Sequence, residues 1–339
     1  MPKLLSDVAA LSGVSQATAS RVLNRRPGVA EGTRQMVLEA AETLKYRPTQ
    51  RPLIPTELIG VVAQDTGCGV TSGLVEGVLT ALQRRDHLPI LCSPRTGAPS
   101  EGNSVRRLLA GGASGLIFLA GDHTDTTANH EMYRSLENSS VPHVLVGGTA
   151  FPSRAARLSN DDSAGVSIAL RHLFELGHVR TGMILGADRF LVTQRKMDAF
   201  FTTLGECSQP TLEAKKLVEN SYNSKESGFC ATEALFDRGC TAIVCDSDEI
   251  AIGALRAARS RSLSVPDDLS LIVLGDSDLA LHTDPPLTVV SYSVEKMSES
   301  IADALIMTVN GTPLSPLELF FPPDLIFRGS VGRAPLFSG

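Results

Sequence analysis

The feature that most restricts how this chain folds is a change in the period of its apolar residues near position 58. From there onward short apolar runs alternate with longer segments of helical spacing. The runs are Leu58 to Ala63, Pro89 to Cys92, Gly115 to Leu119, His143 to Val146, Arg180 to Leu185, Ala242 to Cys245 and Ser270 to Leu274. Gly73 to Arg85, Ala164 to Leu176 and Ile250 to Ser260 are examples of the helical segments between them. This alternation predicts parallel sheets wrapped by helices, because a parallel strand pair needs a long crossover and a helix usually supplies it. Such sheets take ligands at the carboxyl ends of their strands. At 339 residues the chain exceeds what one core usually serves, so two or three folding units are expected.

Before residue 58 the spacing is helical. Val8, Ala9 and Leu11 form one short face, Ala19, Val22 and Leu23 a second, and Met36, Val37, Ala40, Ala41 and Leu44 a third. Ser12-Gly13-Val14-Ser15 separates the first two, a glycine turn followed by a serine able to cap the next helix. That is the pattern of a helix-turn-helix, and a plain three-helix bundle is the alternative. Charge separates the two readings. Residues 1–51 hold eight Lys and Arg against four acids, leaving 23 basic against 33 acidic residues for the rest of a chain whose net charge is -6. A basic head on an acidic body is the asymmetry of a polyanion-binding module.

The run Asp7-Val8-Ala9, Ser12-Gly13-Val14-Ser15 and Thr18-Ala19-Ser20-Arg21-Val22-Leu23-Asn24 resembles the N-terminal signature of the lactose/galactose repressor (LacI/GalR) family. The resemblance implies a DNA-binding transcriptional regulator, a repressor on the family's usual pattern, whose second helix enters the major groove of an operator. Ser15, Gln16 and Ala17 then begin the reading helix. Arg21 reaches a guanine, whose O6 and N7 its fork can bond, and Thr18, Ser20 and Asn24 hold phosphates or the turn. Leu4 and Ala30 stand where the family usually places capping hydroxyls, and each loses about 1 kcal/mol of cap.

In that family a hinge helix follows, pairs with its mate in a homodimer and wedges a leucine into the minor groove. Residues 47–57 here carry Pro48, Pro52 and Pro55, which remove donors and push each preceding residue from helical angles. Leu53 as a minor-groove wedge and a stiff proline spacer are the two readings of this segment.

The resemblance continues through Asp161-Asp162-Ser163-Ala164-Gly165, Asp248 with Ala251 to Leu255, Val265 to Ser270, Asp284 to Thr288 and Phe327-Arg328-Gly329-Ser330. It implies an all-α helix-turn-helix domain at residues 1–46, a proline-rich hinge at 47–57, and a periplasmic-binding-protein-like α/β domain at 58–330. That domain has two parallel-sheet lobes, about 58–157 with 288–317 and about 158–287 with 318–330. Carried over residue by residue, the family's effector contacts fall on Asp65, Val70, Gly147, Arg195 with Lys196, Tyr222, Ser247 and Asp276. Asp65 and Asp276 keep carboxylates that suit hydroxyls, and Tyr222 an aromatic face for a sugar ring. Lys196 replaces an arginine, Ser247 an asparagine, Val70 an aromatic, and Gly147 and Gly275 aspartates. A carbohydrate, another metabolite, and no effector at all therefore stay open.

Other classes fit less well. Gly67 to Gly73 follows a strand and opens a helix, but its spacing is not that of a dinucleotide loop and no ribose-binding acid follows, which weighs against an NAD(P)-dependent enzyme. The six cysteines lack paired spacing and the seven histidines sit singly, so no catalytic residue, metal or cofactor is expected. No run approaches the roughly 18 apolar residues that span a bilayer, and the N-terminus does not read as a secretory signal, so a cytoplasmic protein without membrane contact is expected. A small-molecule-binding transport protein would share the body but not the head. The partners expected are a near-palindromic double-stranded operator, a second copy of the chain and a small-molecule effector.

Overall fold

The computed structural model describes residues 5–23, 29–44, 57–64, 69–94, 100–206, 214–312 and 314–335. The chain divides between Thr56 and Glu57 into two units.

The first unit has three helices, α1 (Leu5–Ser12), α2 (Gln16–Leu23) and α3 (Glu31–Thr43). Val8, Ala9, Ala19, Val22, Val37, Ala40 and Ala41 form its core, with Val14, Leu23, Val29 and Leu44 packed against it. Leu11 and Met36, expected inside, are 55% and 49% exposed. An eight-residue helix has barely two turns, so the inward stripe of α1 is narrow, and Val14 from the turn fills the space instead. Gly13 ends α1 in the left-handed region at φ +67°, where an L side chain would be strained, and Val14 N–H closes back on Ala9 O at 3.1 Å. Ser15 Oγ accepts from Thr18 N–H at 3.1 Å and so caps α2. Ala30 leaves α3 without a side-chain cap, as its sequence predicts. Ser15→Ala is expected to lower local stability by about 1 kcal/mol and Ala30→Ser to raise it similarly. Hydrogen exchange of the α2 and α3 amides in the full chain reads both.

The second unit carries two six-stranded sheets. In the first lobe the order is β11-β5-β4-β3-β1-β2, from β1 (Leu58–Ala63), β2 (Leu88–Cys92), β3 (Ala113–Ala120), β4 (His143–Val146), β5 (Ala156–Asn160) and β11 (Glu318–Phe321), all parallel. Helices α4 (Gly69–Gln83) and α12 (Val294–Val309) bury Val75, Val78, Leu82, Ile301 and Leu305 on one face. On the other face α5 (Glu101–Ala110) and α6 (Glu131–Asn138) bury Val105, Leu108, Tyr133 and Leu136. In the second lobe the order is β12-β10-β9-β8-β6-β7, from β6 (Thr181–Leu185), β7 (Val218–Asn220), β8 (Ala242–Cys245), β9 (Ser270–Leu274), β10 (Thr288–Ser291) and β12 (Asp324–Ile326). Only β12 runs antiparallel. Its helices are α7 (Asp162–Glu175), α8 (Leu191–Glu206), α9 (Lys225–Asp237), α10 (Asp248–Ser260) and the short α11 (Asp278–Leu281). Asp161, Ser224, Ser247, Ser277 and Ser293 cap α7, α9, α10, α11 and α12 with side-chain oxygens.

The lobe boundaries differ from those expected. The chain crosses after β5 at Asn160, after β10 at Ser291 and after β11 at Phe321. Thr288 to Ser291 thus belongs to the second lobe and Glu318 to Phe321 to the first. The cause is the short strands: β10, β11 and β12 are only three or four residues long, and β5 (Ala-Arg-Leu-Ser-Asn) mixes polar with apolar residues, so none carries a readable period.

A polar network lies within the first lobe. Glu101, 3% exposed, accepts from Tyr133 OH, from Gln64 Nε2 at 2.8 Å and from Asp122 N–H at 3.2 Å, and Tyr133 OH accepts from His123 N–H at 3.0 Å. His123 is fully buried, with Nε2 2.8 Å from Val146 O, and Nδ1 has no partner. Burial lowers its pKa to about 4. Because the unfolded value lies near 6.5, the contribution is present above that pH and is lost as pH falls toward 4. Asp162, raised to about 6 by burial, works in the opposite sense over nearly the same range. The readout is therefore a difference: between pH 7 and 5 the Tm of His123→Asn is expected to fall less than that of the unsubstituted chain, and equal slopes would refute the assignment.

Candidate functional site

The first candidate site is α2 and its leading turn. The cap at Ser15 and the glycine at Gly13 fix where the helix starts, while Ala19 and Val22, at 0% and 2% exposure, fix which face turns inward. Ser15 and Gln16 are exposed and Thr18 half-buried. Thr18 Oγ1 shares a 2.9 Å hydrogen bond with Ser15 Oγ, which ties both hydroxyls to the turn. Ala17, Ser20 and Arg21 lie on the same helix, their side chains outside the described atoms, and Asn24 and Leu53 lie outside the described residues. The arrangement presents a short helix, fixed at its N-terminus, from a module rich in Arg and Lys. It is a geometry suited to a groove edged by phosphates.

The second candidate site is the cleft between the two lobes of the second unit. The carboxyl end of β5 meets those of β9 and β10 there. A narrow recess of about 30 Å³ is lined by Leu74, Asn160, Val294 and Met297 on the first-lobe side and by Gly275, Asp276 and Tyr292 on the other. Asp276, which the family resemblance makes a ligand contact, lines this recess, and Arg328 Nη2 donates to its Oδ1 at 2.7 Å. Arg195 does not face the recess as a free cation. Its guanidinium crosses to the first lobe and grips Glu318 with two bonds of 2.7 and 2.8 Å, with the Phe320 ring 5.5 Å away. Glu318 also accepts from Ser159 Oγ, and although burial favours its neutral form, these bonds hold its pKa below the usual value.

Lys196 is enclosed by carboxylates of its own lobe, 2.7 Å from Asp246 Oδ1 and 3.7 Å from Asp162 Oδ1. Burial opposes its charge, but Asp246 and Asp162 outweigh burial and raise its pKa. Asp162 moves upward too, to about 6, since burial is its largest influence and Lys196 stands too far away to offset it. The lysine's primary partner is thus Asp246, and Asp161, its neighbour's neighbour in the turn, caps α7 through Ala164 N–H.

The remaining expected residues are dispersed. Ser247 caps α10 and donates to Asn223 Oδ1. Gly147 ends β4 at φ +89°, and a Cβ there would touch Val192 of α8 at 3.5 Å, so a side chain would be strained and hemmed in by the other lobe. Tyr222 is 86% exposed, with its backbone N–H bonded to Ser227 Oγ at 2.9 Å, and does not line the recess. Val70 lies in the first turn of α4 with its side chain outside the described atoms, and Asp65 lies outside the described residues. Asn160, Asp162, Asp246, Asp248, Glu318 and Arg328 were not expected as cleft residues. Their sequence signals were slight: the Asp161-Asp162 pair reads equally well as a cap, and Arg328 stands 52 positions from its partner. Among the described residues no helix is long and apolar enough to cross a membrane.

Residues 4–49 match the model of bacterial regulatory proteins of the lacI family, and residues 170–331 match the periplasmic binding protein-like domain. The chain is 40% identical over 339 residues to the HTH-type transcriptional regulator MalR of Streptomyces coelicolor, covering 99% of this chain and 98% of that one. Among solved structures, the transcriptional regulator CelR–cellobiose complex is 27% identical with a TM-score of 0.72, covering 97% of this chain and 99% of its own. The Lac repressor dimer bound to operator and the anti-inducer ONPF has the same fold, with a TM-score of 0.74 at 23% identity over 98% and 100% of the two chains.

Proposed function

Because the chain belongs to the lacI family of bacterial regulatory proteins, a family of DNA-binding transcriptional regulators and not of enzymes, we propose that it is a cytoplasmic repressor. It binds a near-palindromic operator as a homodimer, with Gln16, Ala17 and Arg21 at the base edges and a small molecule in the interlobe cleft altering that binding. The observation that supports the head's role best is the capped, glycine-bounded turn that sets α2 with Ser15 and Gln16 exposed. Two such helices on a dimer reach successive major grooves one helical turn apart. Selection of binding sites from random duplexes by the full-length protein is expected to enrich an inverted repeat, and light scattering to report two chains. Enrichment of single half-sites by a monomer would overturn the dimeric reading.

Carbohydrate is the effector class the cleft favours: Asp276 lines the recess, and the similar regulator CelR has been solved as a complex with cellobiose. A closing lobe would shift the head spacing, so operator and effector affinities change reciprocally. Asp276→Ala is expected to weaken sugar binding by about tenfold or more, through loss of a charge-assisted acceptor. A thermal-shift screen followed by titration reads this, and unchanged affinity places the ligand elsewhere.

One observation favours a second reading, an effector-independent regulator. The chain's own groups tie the lobes together: Arg195 holds Glu318, Arg189 Nε lies 2.9 Å from Asp125 Oδ2, and Thr126 N–H donates to Arg189 O at 2.9 Å. Operator affinity that no metabolite changes would establish it.

A further inference from the structure

Among the described residues the cleft's charges are unequal and its cations are engaged. Asp276 lines the recess, Asp161, Asp162, Asp246 and Asp248 stand within three residues of the ends of β5 and β8, and Glu318 meets Arg195 across the lobes, against Arg195, Lys196 and Arg328 as cations. Each of those three cations is held by carboxylate: Arg195 by Glu318 through both terminal nitrogens, Lys196 by Asp246 with Asp162, and Arg328 by Asp276. Arg328 gives its other terminal nitrogen to Leu287 O at 3.1 Å. A phosphate or carboxylate would need arginine, lysine or a helix N-terminus to hold it. Two helix starts here carry acids as well. Asp161 and Asp162 stand at the start of α7, and Asp248 and Glu249 at the start of α10. The start of α4 has no acid in its first turn, but a Cβ on Gly69 would lie 3.6 Å from Asp248 Oδ2, so the opposite lobe brings a carboxylate to it.

Among the described residues the cleft also holds buried acceptors that no donor meets. Asn160 Oδ1, at the recess, and Oδ1 of Asp248, a residue 2% exposed, are buried acceptors without a hydrogen-bond partner. The other oxygen of Asp248 takes a bond from Ser277 Oγ. Acceptors left open in a buried site carry a desolvation cost that a ligand's O–H removes. A phosphate or carboxylate group on such a ligand removes none of it and adds repulsion in a medium of low dielectric.

We propose that the cleft accepts only an uncharged ligand rich in hydroxyl donors and excludes its phosphorylated or carboxylated counterpart. This rests on the cleft being the effector site. The carbohydrate reading says what ring binds; the charge pattern says which chemical form of it does.

Isothermal titration of the full-length protein at fixed ionic strength tests this with matched pairs: glucose and glucose 6-phosphate, cellobiose and cellobionate, adenosine and adenosine 5′-monophosphate. The neutral member of any pair that binds is expected to do so at least about a hundredfold more tightly than its anion. Asp276→Asn releases Arg328 and Glu318→Gln releases Arg195, and either is expected to narrow that ratio by about tenfold. An anion that binds the unsubstituted protein as tightly as its neutral partner overturns the proposal, whatever the variants do. Binding of adenosine and neither sugar, with its monophosphate rejected, removes the carbohydrate reading and upholds the charge exclusion. If no neutral member binds, the effector reading fails and this proposal fails with it.

Discussion

Arg21→Ala is expected to weaken binding to the cognate operator by about 1–3 kcal/mol per half-site, roughly 5- to 150-fold, and to flatten the preference at one base pair. The physical reason is that a guanidinium fork pairs with O6 and N7 of guanine together, which no other base offers, so its loss is felt on the right sequence and hardly on random duplex. The basic head makes a second, separable contribution. Its net charge of +4 acts on phosphates, and each phosphate neutralised adds about -0.9 to the slope of log affinity against log salt. Two heads with a few contacts each are thus expected to lose affinity by about three orders of magnitude or more between 50 and 200 mM salt. Arg21→Ala should leave most of that slope intact. Gel shifts with cognate and scrambled duplexes over a salt series separate the two terms: a flat salt response sinks the nucleic-acid reading, and an equal loss on both duplexes moves Arg21 from base to backbone.

Gly253→Ala is expected to be among the most damaging single-methyl additions to the second lobe. Helices α9 and α10 approach through Gly228 and Gly253 so closely that a Cβ on Gly253 would stand 2.2 Å from Lys225 O and 2.7 Å from Phe229 N. One on Gly228 would stand 2.4 Å from Ile250 O. These are backbone atoms of a packed helix and cannot swing aside, so the helices must separate and disturb contacts with the sheet beneath. Overpacking of this kind costs about 1–3 kcal/mol and sometimes more, whereas alanine on a free helix surface gains about 0.5–1 kcal/mol over glycine. Gly73 in α4 and Gly205 in α8 have open space around them and supply the control. Urea denaturation should therefore show Gly253→Ala well below the unsubstituted chain and Gly73→Ala at or above it. Equal midpoints would mean that the two helices relax apart at little cost.

The outline of the molecule was legible from the chain alone because it depends on local rules. Gly13 and Ser15 mark the turn by backbone freedom and capping, and both act within three residues of themselves. The four-residue run His143 to Val146 and the five-residue run Ser270 to Leu274 are buried on both faces, and the sequence bounds match the strands residue for residue. Strand β5, with arginine and serine among its five residues, has no such pattern and shows itself only by its neighbours β4 and β11. The exposed Leu11 fails for the same reason in reverse: an apolar residue at helical spacing need not face inward when a helix of eight residues has little core to share.

The cleft divides along the same line. That Asp276 would lie at a strand's carboxyl end follows from alternation and the parallel sheet, and the chain by itself determined it. Which carboxylate meets which cation did not follow, because Arg195 and Glu318 are 123 positions apart and sit in different lobes. The family resemblance pointed Arg195 and Lys196 toward the cleft, and nothing along the chain pointed Arg328 there. Only the tertiary structure decided that each is already held by an acid, because pairing across lobes is set by where crossovers bring the strands, not by any spacing along the chain.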